Sequence, residues 1–284
     1  MGADGMPAGL GDREAPWRVD GVGPRWSPLR LLALLFFVGM LLCALGIAVS
    51  AVGDRDGSGV VLGVAGAVLF AHLLGFLAVV WLPRRRSARH VTSARTPDGT
   101  VGVRFGYSRW AYYWMTALLV LCLAIGAAVV LAAAAQGGTA GRVGAVGLAV
   151  LLGLTGWFLV TVLRVGAGAV TVSPAGIAHR GLVHLHVVPW YAVHGVGAGV
   201  RAGTPVIVVD AAPSPDTVVR RYTGWFGTAD ARELPRLVVR TLWLATDPAT
   251  VLAALAFYHA HPELRGELAT PEAPRRIAEG RARG

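Results

Sequence analysis

The sequence predicts four transmembrane α-helices followed by a C-terminal all-β domain of about seven strands, which ends in one helix. Three observations predict this fold class. Only 15% of the 284 residues are charged and 55% are hydrophobic, whereas an average soluble domain has roughly 25% charged residues. Four apolar segments are each long enough to cross a bilayer, which takes about 20 residues. After Gly168 the hydrophobic period changes from that of a helix to that of a strand.

The four predicted spans contain no Asp, Glu or Arg. Each must be helical, because lipid offers no hydrogen-bond partners to unpaired backbone groups. The spans cover residues 31–52, 59–82, 110–135 and 143–163. Short connections join them in pairs, so the sequence predicts two transmembrane hairpins at 29–82 and 110–165.

The arginines indicate the orientation in the membrane. All 26 basic residues are arginines; four precede the first span and seven lie in the loop 83–109, but the other two connections carry one each. Because loops rich in Arg stay in the cytoplasm, we expect a multi-pass protein of the inner (plasma) membrane with both termini cytoplasmic. Residues 1–28 lack periodicity and are predicted to be a disordered cytoplasmic N-terminus.

The basic loop 83–109 contains a turn signal, Thr96-Pro97-Asp98-Gly99, between two strand-like segments. It predicts a small β-hairpin at the membrane surface. Its positive charge favours an anionic inner leaflet as partner, and the candidates for that contact are Arg84, Arg85, Arg86 and Arg89. The charge does not indicate nucleic acid, because no nucleic-acid-binding fold signature accompanies it.

Two features lie within the second span. Small residues recur at every fourth position, at Gly59, Gly63, Ala67, Ala71 and Gly75. Such a stripe lets helix backbones approach closely, either inside the four-helix bundle, which we favour, or between two copies as a homodimer. His72 is the ionisable side chain deep in this span, and intramembrane ionisable groups are functional candidates. A hydrogen bond across the bundle is the simpler interpretation of its presence.

Residues 166–262 are predicted to form a folded cytoplasmic domain, and residues 263–284 a C-terminal tail. The predicted strands fall within residues 169–173, 177–180, 182–188, 193–200, 205–210, 217–222 and 237–245. Asp247 and Pro248 then start an amphipathic helix that Pro262 ends. The tether after the fourth span is short, so the domain must lie against the membrane.

The segments at 170–177 (VTVSPAGI) and 188–193 (VPWYAV) resemble bacterial, actinobacterial-type membrane proteins with a C-terminal PH-like domain, as do Asp247-Pro248 and residues 261–268. The resemblance implies a seven-stranded PH-like barrel capped by a helix, a binding or scaffolding role, and neither catalysis nor a cofactor. Eukaryotic relatives bind phosphoinositides through basic residues around the first hairpin. The turn 173–176 has no basic residue here, although Arg180 is near. The candidate residues of this domain for a lipid or partner surface are Arg180, Arg220 and Arg221.

The preferred hypothesis is a non-enzymatic membrane-anchored scaffold that binds protein or lipid. The sequence contains no phosphate-binding glycine loop, no Gly-x-Ser-x-Gly, no Cys-x-x-Cys and no His-Glu-x-x-His. Two alternatives stay open. The first is a small transporter or channel subunit that uses His72. The second is a membrane-bound enzyme with zinc held by His179, His184 and His186, although strand alternation predicts that His184 and His186 point to a solvated outer face.

Overall fold

The computed structural model describes residues 28–81, 91–96, 99–136, 138–201, 204–223 and 235–282. Four of the arginines proposed from the sequence lie outside these ranges, namely Arg84, Arg85, Arg86 and Arg89. Residues 1–27 lie outside them as well. The described chain consists of four long apolar helices and a C-terminal antiparallel β region.

The four predicted spans are confirmed as helices. They are α1 (Pro28–Gly53), α2 (Gly57–Trp81), α3 (Arg109–Gln136) and α4 (Thr139–Val165). All four are long and apolar enough to cross a membrane, which makes this a multi-pass membrane protein by length and composition. Many large apolar side chains on these helices are exposed, as a lipid-facing surface requires.

The small-residue stripe of α2 is in contact with other helices of the same chain. Helix α1 packs against α2, α2 against α3, and α3 against α4. A Cβ atom added at Gly63 would lie 2.5 Å from the backbone nitrogen of Ala48 in α1. A Cβ atom added at Gly75 would lie 2.6 Å from the ring of Trp114 in α3. Close approach inside the chain therefore accounts for the glycines at both positions.

The predicted loop hairpin and the seven predicted C-terminal strands are all present. The hairpin consists of β1 (Val91–Arg95) and β2 (Val101–Gly106). The strands after α4 are β3 (Ala169–Val172), β4 (Gly176–Arg180), β5 (His184–Pro189), β6 (Val193–Arg201), β7 (Thr204–Ala211), β8 (Val218–Arg221) and β9 (Leu237–Arg240). Short 3-10 turns follow β5 at Trp190–Ala192 and β9 at Thr241–Trp243.

The predicted closure into a PH-like barrel is wrong. The strands form two antiparallel sheets that are not closed, in the orders β1-β2-β3-β4-β5-β8 and β6-β7-β9. Strand β2 of the loop hairpin pairs with the edge of β3, with Phe105 opposite Val170. The first sheet therefore continues into the loop hairpin and does not curve around to pair with the second sheet. The loop hairpin is therefore part of the C-terminal sheet and lies on the same side of the membrane.

The predicted C-terminal tail is also wrong, because residues 263–282 pack onto the β region. After α5 (Pro248–Ala260), a 3-10 segment at Pro262–Ala269 and a second helix, α6 (Glu272–Ala278), bury Leu268 and Ile277 in the core. Glu267 Oε1 accepts hydrogen bonds from Tyr258 Oη (2.7 Å) and Arg276 Nε (2.7 Å). These bonds join α5, the 3-10 segment and α6 into one unit.

Candidate functional site

The strand register of the six-stranded sheet assigns three of its arginines, Arg104, Arg180 and Arg220, to one face. Alternate residues of a strand point to opposite faces, and Val103, Val170 and Ile177 are buried on the core face. On the opposite, outer face one row of paired residues begins with Arg104 and runs through Thr171, Ala178, Val187 and Val218. The next row runs through Gly106, Ala169, Arg180, Leu185 and Arg220.

The row that contains Arg180 and Arg220 is the one nearest the transmembrane helices. Strand β2 ends at Gly106 and is separated from α3 only by residues 107–108; α4 and β3 are separated only by residues 166–168. Arg180 Nη2 donates a hydrogen bond to the carbonyl oxygen of Ala167 in the second connection (3.2 Å). The outer face therefore carries its positive charge next to the membrane.

These residues line a groove on the outer face, here called the outer groove. Its membrane-near half has a volume of about 360 Å³ and is lined by Arg95, Arg104, Thr171, Arg180, Arg220 and Tyr222, among others. Its far half has a volume of about 410 Å³, and its lining includes Ala175, Val187, Pro189, Asp216 and Val218. Both halves share Thr96, Ala178, Leu185 and Arg220.

The arginines of the outer groove are close together without acidic partners. Burial and the nearby charge of Arg180 both lower the pKa of Arg104. Within the described part of the chain, Arg95, Arg104, Arg180 and Arg220 form no ion pair with a carboxylate. A concave cluster of like charges attracts an anion that can accept several guanidinium hydrogen bonds.

The structure separates the sequence-predicted arginines and adds two. Arg180 and Arg220 meet in the outer groove, whereas Arg221 points to the other face, since it pairs with His184. Arg95 and Arg104 were not predicted, because the loop hairpin was expected to be a separate unit. The signal for Arg104 was the alternation of Val103, Arg104 and Phe105, which put the arginine opposite to the apolar face.

All three histidines lie on the core face, so the predicted solvated position of His184 and His186 is wrong. His179, His184 and His186 are only 3%, 7% and 5% exposed. His179 Nε2 is 2.6 Å from the hydroxyl of Tyr107, and the rings of His179 and His184 are 5.1 Å apart between centroids. Burial, reinforced by His184 and His186, lowers the pKa of His179 well below its usual value. Burial, with a contribution from His184, lowers the pKa of His186 to about 4.

The histidines do not form a metal site in the described residues. There, no group of three or more His, Cys, Asp or Glu side chains could hold a metal ion. His179 and His184 line a cavity of about 320 Å³ between the β region and the helices, where Met115 of α3 and Phe158 of α4 also contribute. Apolar and aromatic side chains dominate this lining, and the two imidazoles belong to the core.

His72 forms a hydrogen bond within its own helix. Its Nδ1 is 2.8 Å from the carbonyl oxygen of Val68, and its ring packs edge-on against Trp114 of α3, with centroids 5.3 Å apart. The interpretation as a hydrogen bond across the bundle is therefore replaced by a bond to the preceding turn and an aromatic contact.

Comparison with known proteins finds no match for this chain among family models, curated proteins or solved structures.

Proposed function

We propose that this protein is a non-catalytic binding and scaffolding module, anchored in the plasma membrane, that presents the outer groove at the cytoplasmic face. The observation that carries the proposal is the group of four arginines in the groove, for which the described residues provide no carboxylate partner. A protein that keeps like charges together in a concave surface loses stability unless an anion binds there.

Attachment of the sheet at two points supports a scaffolding role. Helices α3 and α4 enter the same sheet through adjacent strands, β2 and β3, with only residues 107–108 and 166–168 as connections. Two short connections restrict rotation of the sheet relative to the helices more than a single connection does. Ligands bound in the outer groove are therefore held at a set distance from the membrane, which raises their effective concentration for one another.

The cytoplasmic placement in this proposal rests on the arginine asymmetry. Arg109 begins α3 and Arg164 lies in the last turn of α4. Both occupy the helix ends next to the β region, where positive residues are expected on the cytoplasmic side.

The composition of the groove favours binding over catalysis. Asp216 is the carboxylate among its described lining residues, and it accepts a hydrogen bond from the Tyr191 hydroxyl. The transporter alternative depends on His72, whose ring nitrogen is bonded to its own helix. The zinc-enzyme alternative depends on three histidines that face the core. Neither alternative has the support that the outer groove has.

Photo-crosslinking in living cells tests the proposal. A photoreactive amino acid replaces Val218, which lines the outer groove and is 40% exposed, in the full-length chain. The matched control replaces Val200, which is 39% exposed on β6 in the other sheet. We expect a defined protein or lipid adduct at position 218 that is reduced by Arg180→Ala. Equal labelling at both positions, or labelling at neither, contradicts the proposal.

A further inference from the structure

We propose that the outer groove holds the phosphate of an anionic phospholipid that carries a hydroxylated headgroup and belongs to the leaflet in which the protein is embedded. This inference rests on the proposed function, since it names the ligand of the same groove. It is carried by the depth of the groove relative to the membrane, by the arrangement of its guanidinium groups and by the chemistry of its far half.

The depth of the groove matches the headgroup layer. A bilayer core of about 30 Å grows to about 40–45 Å with its headgroups, and a helix of 27 residues such as α4 is about 40 Å long, so its end reaches the headgroup layer. Arg180 lies opposite Ala169, and directly paired residues on antiparallel strands are about 5 Å apart. Ala169 follows the end of α4 after residues 166–168. The guanidinium group of Arg180 is therefore within reach of lipid phosphates.

Arg104 and Arg180 are placed to bind one phosphate between them. Strand β3 separates their strands, and they pair with Thr171 and Ala169, successive residues on the outer face of β3. Their mutual repulsion contributes to the lowered pKa of Arg104. A phosphate bound between them removes that repulsion and accepts charge-assisted hydrogen bonds from both guanidinium groups.

The position of Arg220 extends this arrangement across the sheet. Leu185 is the in-register partner of both Arg180 and Arg220, so the two arginines flank one apolar side chain. A guanidinium group on each side of Leu185, at one distance from the helix ends, can contact the same anionic headgroup.

The far half of the outer groove indicates the kind of headgroup. Its described lining is mostly small or apolar; besides Thr96 and Arg220, which both halves share, its polar side chains are Asp216 and Ser173, whose hydroxyl is bonded to the backbone of Gly176. Asp216 would repel a second phosphate, which argues against a polyphosphorylated headgroup. The Asp216 carboxylate can accept hydrogen bonds from the hydroxyl groups of a glycerol or inositol headgroup.

Native mass spectrometry of the full-length protein in mild detergent tests the inference. Phosphatidylglycerol, phosphatidylethanolamine and phosphatidylcholine of equal acyl length are added separately, and bound lipid is counted. We expect phosphatidylglycerol to bind best. Each of Arg104→Gln and Arg180→Gln should weaken its binding about tenfold. Arg275→Gln, which changes an exposed arginine of α6 away from the groove, should leave it unchanged.

Further measurements distinguish a loss of lipid binding from misfolding of the variant. Arg220 is exposed on the edge strand β8, so Arg220→Gln should weaken lipid binding without lowering the melting temperature. Inorganic phosphate and glycerol 1-phosphate are added as competitors to separate the sources of the anion. Displacement of phosphatidylglycerol by inorganic phosphate at equal concentration would show a soluble anion as the ligand and overturn the inference.

Failure of the inference is distinguishable from failure of the proposed function. Equal phosphatidylglycerol binding by the wild type and by the Arg104→Gln/Arg180→Gln variant overturns the lipid assignment, as does stronger binding of phosphatidylethanolamine. A specific protein adduct at position 218 would in that case still support a binding module. Absence of any specific adduct at position 218 contradicts the proposed function itself.

Discussion

Phe105, in the loop between the second and third membrane helices, lies directly opposite Val170 in the first strand after the fourth helix. Both side chains are fully buried in the core of the β region. The β region is therefore assembled from two chain segments that are separated by the whole α3–α4 hairpin. Its stability depends on the loop, and the loop is held in place by the pairing of β2 with β3.

The first prediction concerns excised fragments. A fragment of residues 166–268 lacks Val103, Phe105 and Ile277, each buried in the core. Loss of a single large core side chain costs about 2–5 kcal/mol, against a total domain stability of about 5–15 kcal/mol. We expect this fragment to be unfolded by circular dichroism. A fusion of residues 91–107 to residues 168–282 through a flexible linker should give a β-rich spectrum with a cooperative melt.

Cooperative, β-rich folding of the 166–268 fragment by itself would contradict this dependence on the loop. The fusion is the matched control, because it restores the missing strands and the C-terminal segment without the membrane helices.

The second prediction concerns the buried bond between Tyr107 and His179. Tyr107→Phe removes the hydroxyl that lies 2.6 Å from His179 Nε2, and both side chains are buried. An unsatisfied buried polar group costs about 1–3 kcal/mol, so chemical unfolding of the full chain in detergent should show a loss of this size.

Tyr191→Phe serves as the control for Tyr107→Phe. The Tyr191 hydroxyl bonds to Ser214 and Asp216 at the surface, where water replaces the lost bond, and its removal should change stability by about 0.5 kcal/mol or less. Equal losses of stability in the two variants would show that the buried bond contributes no more to the free energy of unfolding than the surface bond does.

The third prediction is a loss of stability in mild acid. Burial lowers the pKa of His186 to about 4, whereas the unfolded chain has the usual value of about 6.5. Above pH 6.5 His186 is neutral in both the folded and the unfolded state, and the free energy of unfolding has its full value. As the pH falls from 6.5 toward 4 the unfolded state binds the proton first, so the free energy of unfolding decreases, by about 2 kcal/mol at pH 5 for one such group. His179 acts in the same direction.

Unfolding curves between pH 7.5 and about 5 measure the slope of the free energy of unfolding against pH. They are recorded for the wild type, His186→Gln and His194→Gln. His194 is exposed on β6, so its replacement should leave the slope as it is. His186→Gln should reduce the slope, because glutamine does not titrate. An unchanged slope in His186→Gln would count against the neutral, buried state of this histidine.

The fourth prediction concerns the glycine stripe of α2. Gly63→Leu places a side chain against the backbone of Ala48, and overpacking of this kind costs about 1–3 kcal/mol. We expect a lower melting temperature in detergent and an unchanged oligomeric state by light scattering. Gly39→Leu is the control, because nothing lies within 4 Å of the added Cβ atom at that position of α1. A variant that loses a dimer but keeps its melting temperature would instead support the homodimer.

The local elements of this protein follow from the sequence by itself. The four spans, the loop hairpin, the seven later strands and α5 all lie close to their predicted positions. The reason is that the length of an apolar segment and the period of its hydrophobic residues are properties of short stretches of chain. Asp247-Pro248 at the start of α5 and Pro262 after its end are local signals of the same kind.

Only the tertiary structure brought the residues of the candidate site together. Arg104 and Arg180 become neighbours only because β2 pairs with β3 across the α3–α4 hairpin, and no local pattern encodes a pairing between segments so far apart. Alternation along β5 shows that His184 and His186 share a face, but residues on its opposite face are apolar as well, so the pattern does not tell which face is covered. Packing of the second sheet and the C-terminal helices onto the histidine side made that choice, and it left the arginines on the outside.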